Sequence, residues 1–154
     1  MPPVADRDDI TALVHGYGEL LDAGDLDGVV AMFSRATWRS AATGTVLSTP
    51  EEIRGVYEGI VMHDGSPRTR HLMTNVVIEM ADGADQATGR STYTVLQSVT
   101  PGDPIEIVVV GRYEDRYERG PDGWYLTDRL FFVDLQADTS RHFPRPGSSG
   151  SPSP

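Results

Sequence analysis

Three long strand-type segments crowd the C-terminal half of this chain, and their spacing leaves little freedom in how they can pair. Residues 86–99 end at Pro101-Gly102, residues 105–119 end at Gly120-Pro121-Asp122-Gly123, and residues 124–136 follow at once. Each is rich in β-branched and aromatic residues and is bounded by turn chemistry. Connections this short can join only antiparallel neighbours, so the three predict a meander. In the second segment Tyr113, Asp115 and Tyr117 alternate with Arg112, Glu114, Arg116 and Glu118, which puts one face of the sheet in water near that end.

The N-terminal half has a different period. Ile10, Leu13, Val14, Tyr17, Leu20 and Leu21 recur at helical spacing, with acidic Asp8 and Asp9 at the start and Gly24 as a stop. Asp25 caps a second short helix over residues 26–33. A strand over residues 36–42, a turn at Gly44 and a return strand over 45–48 come next. Thr49-Pro50-Glu51-Glu52 then carries the signature of a capping box, opening a third helix that reaches about Met62 with Ile53, Val56, Tyr57 and Ile60 on one face. Helices first and a meander afterwards predict an α+β fold, a curved antiparallel sheet wrapped as a cone around three helices from the N-terminal half. The domain is expected over residues 7–143, with a flexible N-terminus over 1–6. Residues 144–154, made of Pro, Arg, Gly and Ser, read as a disordered tail because they hold no apolar side chains to offset ordering entropy.

Composition narrows the chemistry. At 154 residues the chain can bury a core as one domain. Cysteine is absent, which removes thiolate chemistry, and all 13 basic residues are arginine, which removes lysine Schiff bases. A formal net charge of −10 disfavours a nucleic-acid groove, and a small hydrophobic ligand suits the chain better. No secretory leader pattern or membrane-length apolar run is present, so a cytoplasmic protein away from membranes is expected. The four histidines, His15, His63, His71 and His142, show no metal-ligand spacing, and no nucleotide-binding glycine motif occurs; neither metal nor cofactor is expected.

The strand over residues 68–79 draws attention because alternation puts His71, Met73, Asn75 and Val77 on one face, taken as the enclosed one. A histidine among apolar neighbours needs a carboxylate to tune it. Asp22, in the last turn of the first helix, sits at the unfavourable negative end of the helix dipole. On an ideal wheel it lies roughly 130° from the centre of the apolar stripe, so periodicity alone exposes it.

Three segments together, Tyr17 through Asp27, Arg70-His71-Leu72-Met73-Thr74-Asn75-Val76, and Gly111-Arg112-Tyr113-Glu114-Asp115 with Gly123-Trp124 beyond, resemble the SnoaL-like branch of the nuclear-transport-factor-two-like superfamily. In scytalone dehydratase, lindane dehydrochlorinase and the bile-acid 7α-dehydratase of that superfamily, an aspartate ending the first helix pairs with a histidine on the strand after the third. The resemblance places Asp22 and His71 on those positions, turns Asp22 inward, and puts Tyr17 where the bile-acid enzyme has a functional tyrosine. Where scytalone dehydratase has a second histidine on the next strand, this chain reads Thr94-Val95-Leu96-Gln97-Ser98, so one histidine carries over.

What the resemblance implies is a cofactor-independent lyase, isomerase or cyclase acting on a small hydrophobic carbonyl compound of polyketide, terpenoid or steroid type. His71 would be the base and Asp22 its partner. Tyr17, Asn75 and Tyr93 are candidate donors to an oxyanion, and Asn75, Trp38, Tyr57 and Tyr93 are candidate ligand contacts. A non-catalytic small-ligand-binding or dimerisation module of the same fold is the competing reading. The resemblance also implies a sheet-to-sheet homodimer, in keeping with the apolar run Ile107-Val108-Val109-Val110, which points apolar side chains to both faces.

Overall fold

The computed structural model describes residues 4–143, and the Pro/Ser-rich stretch expected as a tail lies outside them. Three helices are present, α1 (Val4–Ala23), α2 (Leu26–Met32) and α3 (Pro50–Tyr57), followed or interleaved by six strands. These are β1 (Thr37–Ser40), β2 (Val46–Leu47), β3 (Thr69–Glu79), β4 (Gln86–Gln97), β5 (Glu106–Gly120) and β6 (Gly123–Gln136). They form one curved, unclosed sheet in the order β2-β1-β6-β5-β4-β3. Four of its five pairings are antiparallel, but β1 runs parallel to β6, with Trp38 opposite Arg129, so the sheet is mixed rather than wholly antiparallel. β1 enters from the end of α2 and is joined to β6 through no hairpin, which frees it to take either direction.

Local chemistry accounts for the helix ends. Thr49 accepts from the Glu52 backbone N–H, and the Glu52 carboxylate accepts from the Thr49 N–H in return, the reciprocal capping box read from the sequence. At the end of α1 the Gly24 N–H reaches Leu21 O and the Asp25 N–H reaches Leu20 O, a Schellman closure that needs the left-handed φ of 71° at Gly24. α1 starts earlier than its apolar repeat indicates. Asp6, expected outside the domain, is buried and accepts from Arg119 at 2.6 Å and from the Trp124 indole at 3.1 Å. The polar anchor extends the helix one turn beyond the reach of apolar periodicity. α3 stops at Tyr57 instead of Met62, and tight turns at Gly59 and Ile60 replace its last expected turn.

The core lies between the concave face of the sheet and α1, with Ile10, Val14, Tyr17, Val29, Phe33 and Ile53 packed against Tyr93, Val95, Tyr113, Tyr117 and Leu126. Register shifts that place extra residues in β3, β5 and β6 bend the sheet around the helix. α1 can lie close to β3 because position 18 is glycine. A Cβ there would stand 3.0 Å from the Met73 methyl and 3.1 Å from the His71 Cβ. On the opposite face Ile107, Leu72 and Leu135 are exposed, as is Ile105 just before β5. Among the described residues no helix is long and apolar enough to cross a membrane.

Candidate active site

The Schellman turn ends α1 directly over the start of β3, and Asp22 points into the seam between them. Its side chain is only 6% exposed, against the outward orientation an ideal wheel gives. A wheel knows only the helix's own stripe; here β3 supplies three donors on the flank. Asp22 Oδ1 accepts from the Thr69 hydroxyl at 2.9 Å and lies 2.6 Å from His71 Nδ1, while Oδ2 accepts from the His71 backbone N–H at 2.9 Å. Burial pushes the Asp22 carboxyl up, but the hydrogen bonds from the His71 side chain and backbone and from Thr69 together hold it below its ordinary value. Asp22 is therefore ionised at neutral pH and can only accept. His71 Nδ1 must carry the proton, and its lone pair is on Nε2, where no hydrogen bond from the described residues occupies it.

His71 opens on an apolar cavity of about 350 Å³ inside the cone. Tyr17, Trp38, Tyr57, Tyr93, Tyr113 and Phe131 supply most of its aromatic wall, and Val56, Ile60, Val95, Val109 and Val133 its aliphatic wall. A larger groove of about 580 Å³ runs past Arg39, Arg116 and Asp128, but it is polar and contains neither member of the Asp22–His71 pair.

All five sequence candidates besides Asp22 and Asn75 therefore meet in one space: His71, Tyr17, Trp38, Tyr57 and Tyr93. The Tyr17 and Tyr57 hydroxyls are 2.8 Å apart, and the Trp38 indole donates to the Tyr57 oxygen at 3.2 Å. One phenol must donate to the other, so one O–H proton of the pair stays available to a ligand. Burial pushes both phenols up, so they are donors and not bases. Tyr93 differs. It donates to the Phe132 carbonyl at 2.7 Å, and burial lifts its pKa to about 12. With its proton committed, Tyr93 does not serve as an oxyanion donor and offers the cavity a ring face stacked on Tyr113 at 4.5 Å.

Asn75 leaves the site altogether. The register of β3 shifts between Thr74 and Val77, Asn75 takes a left-handed φ of 52°, and its side chain is exposed. An extra residue in the strand ends simple alternation, so Ile78 rather than Val77 is buried beyond it. Arginine 129 is a second correction. Interleaved acids suggest surface pairs for Arg90, Arg112, Arg116 and Arg129, which fits the exposed first three. Arg129, however, is 1% exposed and bonds both oxygens of Asp115 at 2.8 Å inside the core.

Sequence reasoning left His142 without a role. It belongs to the segment after β6, and it lines the same cavity with its ring centroid 6.2 Å from that of His71. No periodic signal exists in that segment; a lone His-Phe pair past the last strand was the only cue. Among the described residues no group of three or more potential metal ligands gathers.

The model of the SnoaL-like domain matches residues 2–130 of the chain. No curated protein is significantly similar in sequence. Among solved structures, an NTF2-like protein with a cystatin-like fold from Novosphingobium aromaticivorans superposes with a TM-score of 0.71 at 20% identity, covering 90% of this chain and 88% of that one. A scytalone dehydratase-like protein from the same organism gives 0.71 at 17% identity over 96% and 97%. ActVI-ORFA from Streptomyces coelicolor gives 0.69 at 21% identity over 82% and 96%. At these identities the structural likeness speaks for the fold.

Proposed function

The chain belongs to the SnoaL-like family, and from that premise we propose that it is a cofactor-independent acid–base enzyme, a lyase, isomerase or cyclase, acting on a small hydrophobic carbonyl compound. One observation carries the reading: an ionised aspartate 2.6 Å from the Nδ1 of a histidine that lines an apolar cavity. Asp22 fixes the tautomer of His71 and stabilises the imidazolium that forms when Nε2 takes a proton. The bond that breaks is the C–H next to the substrate carbonyl, and its electron pair moves onto oxygen as an enolate. The proton on His71 then returns to another carbon in isomerisation or to a departing hydroxyl in elimination; in ring closure the enolate carbon attacks a second carbonyl, whose π electrons move onto its oxygen, and that alkoxide takes the proton from His71. The spare hydroxyl proton of the Tyr17–Tyr57 pair binds a further oxygen of the substrate and orients it, and Trp38 and Tyr93 bound the space.

The step common to all three outcomes can be measured without the natural substrate. A hydrophobic bicyclic ketone, 2-tetralone, incubated in D₂O exchanges its α-hydrogens whenever a base removes and returns a proton. The expected result is enzyme-dependent deuterium uptake that falls to background in His71→Ala. Equal uptake by both proteins, or none by either, would leave the fold as a ligand-binding module.

The reading extends to assembly. The exposed apolar side chains Leu72, Ile107 and Leu135 on the sheet, with Ile105 just before β5, support a homodimer formed face to face through the sheet. Light scattering at micromolar concentration gives twice the chain mass if this holds and the chain mass if it does not.

A further inference from the structure

The cavity contains a second imidazole whose situation differs from that of His71 in every respect that matters chemically. His142 is 8% exposed, and its Nδ1 is buried without any hydrogen-bond partner. Burying a polar atom unpaired costs stability. The fold does not need the ring to hold the segment in place, because the backbone does that: the Val61 N–H donates to His142 O at 2.9 Å, the His142 N–H donates to Thr139 O at 2.9 Å, and Gln97 Nε2 donates to Arg141 O at 3.0 Å. The Arg141 guanidinium is separately paired with Glu106 at 2.7 Å. An imidazole is thus kept in an apolar wall, beside the proposed base, by contacts that do not involve its own nitrogens.

We propose that His142 is the oxyanion donor of this site, a neutral imidazole whose Nε2–H hydrogen-bonds to the carbonyl oxygen of the substrate while His71 removes the adjacent proton. The inference rests on the acid–base reading of the Asp22–His71 pair. The two rings stand 6.2 Å apart at a steep 66°, a separation that a carbonyl group and its neighbouring carbon can bridge. A buried N–H without an acceptor is tolerated less well than a buried lone pair without a donor, so the proton belongs on Nε2 and the shut-in Nδ1 carries the lone pair. The titratable groups packed against the ring are His71 of β3 and, behind it, Asp22 of α1. Burial and then the proximity of His71 push His142 down to about pKa 4, outweighing the opposing pull of Asp22, so the ring is neutral at pH 7. A neutral imidazole gives a hydrogen bond without surrendering its proton. The proton balance is unchanged by it: C–H breaks, N–H forms on His71, and the enolate oxygen accepts from His142. Two imidazoles of unlike environment thereby take base and electrophile roles.

The test pairs a spectroscopic and a kinetic measurement on the full chain. With ¹⁵N-histidine labelling, long-range proton–nitrogen correlation is expected to show His142 as the neutral Nε2–H tautomer from pH 5 to pH 8. The Nδ1–H tautomer or a cation at pH 7 would overturn the proposal, whatever the variants do. In the 2-tetralone exchange assay His142→Leu is expected to lower kcat about 100-fold, the scale of one oxyanion-hole donor, with KM nearly unchanged and the melting temperature retained. His142→Gln, which returns an N–H donor, is expected to recover part of the loss; a purely structural histidine would show no such recovery. Exchange that stays at the wild-type rate in His142→Leu but vanishes in His71→Ala overturns the role of His142 and leaves the base assignment standing. Loss of nothing in either variant overturns both.

Discussion

Asp115 and Asp22 are each buried beside a cation or a potential cation, and they behave as opposites. Asp115 and Arg129 are each about 1% exposed and form a fork of two parallel hydrogen bonds at 2.8 Å. Tyr117 donates to the same carboxylate at 2.6 Å, and the guanidinium lies 4.6 and 4.3 Å from the ring centroids of Tyr17 and Tyr113. Both carboxylate oxygens are bonded and two ring faces cover the guanidinium; its Nη1 has no hydrogen-bond partner, but it is shut inside the core. Asp22 and His71 are nearly as buried, yet the pair ends in a ring nitrogen with a free lone pair at a cavity wall. Burial and pairing alone do not separate a structural ion pair from one proposed to be catalytic. Spare valence next to empty space does.

The largest effect is expected from breaking the sealed pair. Arg129→Met leaves the Asp115 charge without its partner in the core and should cost about 3–5 kcal/mol in chemical denaturation. Adding Asp115→Leu to it should recover much of that loss, since a buried ion pair can be exchanged for apolar packing at little net cost. Applied to the open pair, the same logic inverts. His71→Ala should lower ketone exchange by about 10²- to 10⁴-fold while moving the melting temperature little, because a half-polar cavity wall is lost rather than a packed core. If His71→Ala were as destabilising as Arg129→Met, the distinction between the two pairs would collapse.

Asp22→Asn should fall next in size. It preserves shape but loses the charge that sets the His71 tautomer and stabilises its cation, and its single acceptor oxygen can serve one side only, either Thr69 and His71 Nδ1 or the His71 backbone N–H, so exchange drops and some stability goes with it. The same variant has a signature in acid. The native Asp22 pKa lies below its ordinary 3.8, so its contribution to stability is complete above that value and is lost as pH falls through the lower native one. Melting curves at pH 5 and below should therefore show a wild-type acid limb that Asp22→Asn flattens. The smallest effect is Tyr17→Phe, which keeps the ring under Arg129 and removes one hydroxyl from the tyrosine pair; about a tenfold change in exchange, on the scale of one hydrogen bond, is expected.

Much of this contrast is invisible in one dimension. Asp115 stands between Tyr113 and Tyr117 and Asp22 follows a pair of leucines, neither setting telling which is sealed, and Arg129 sits among residues whose alternation does read as sheet. The meaning of Asp22 was legible only through resemblance, since its own helix stripe excludes it and the donors that bury it belong to a strand 47 to 49 residues away. Asn75 shows the reverse failure. Period-2 reading carried it inward from His71, and a bulge between Thr74 and Val77, which plain alternation does not include, turned it out to solvent.

By itself the sequence determined the elements and their order, because those follow from short-range physics: the Thr49–Glu52 capping box, the glycine stop after α1, and turn chemistry too brief for anything but antiparallel hairpins between β4, β5 and β6. Gly18 was in the sequence too, but not its consequence, a helix close enough to β3 for Asp22 to reach His71. Tertiary structure alone decided that β1 runs parallel to β6, that Arg129 goes inside, and that a histidine beyond the last strand returns to face His71. Each of those depends on groups far apart in the chain satisfying one another's charges and hydrogen bonds, and neither periodicity nor propensity carries that information.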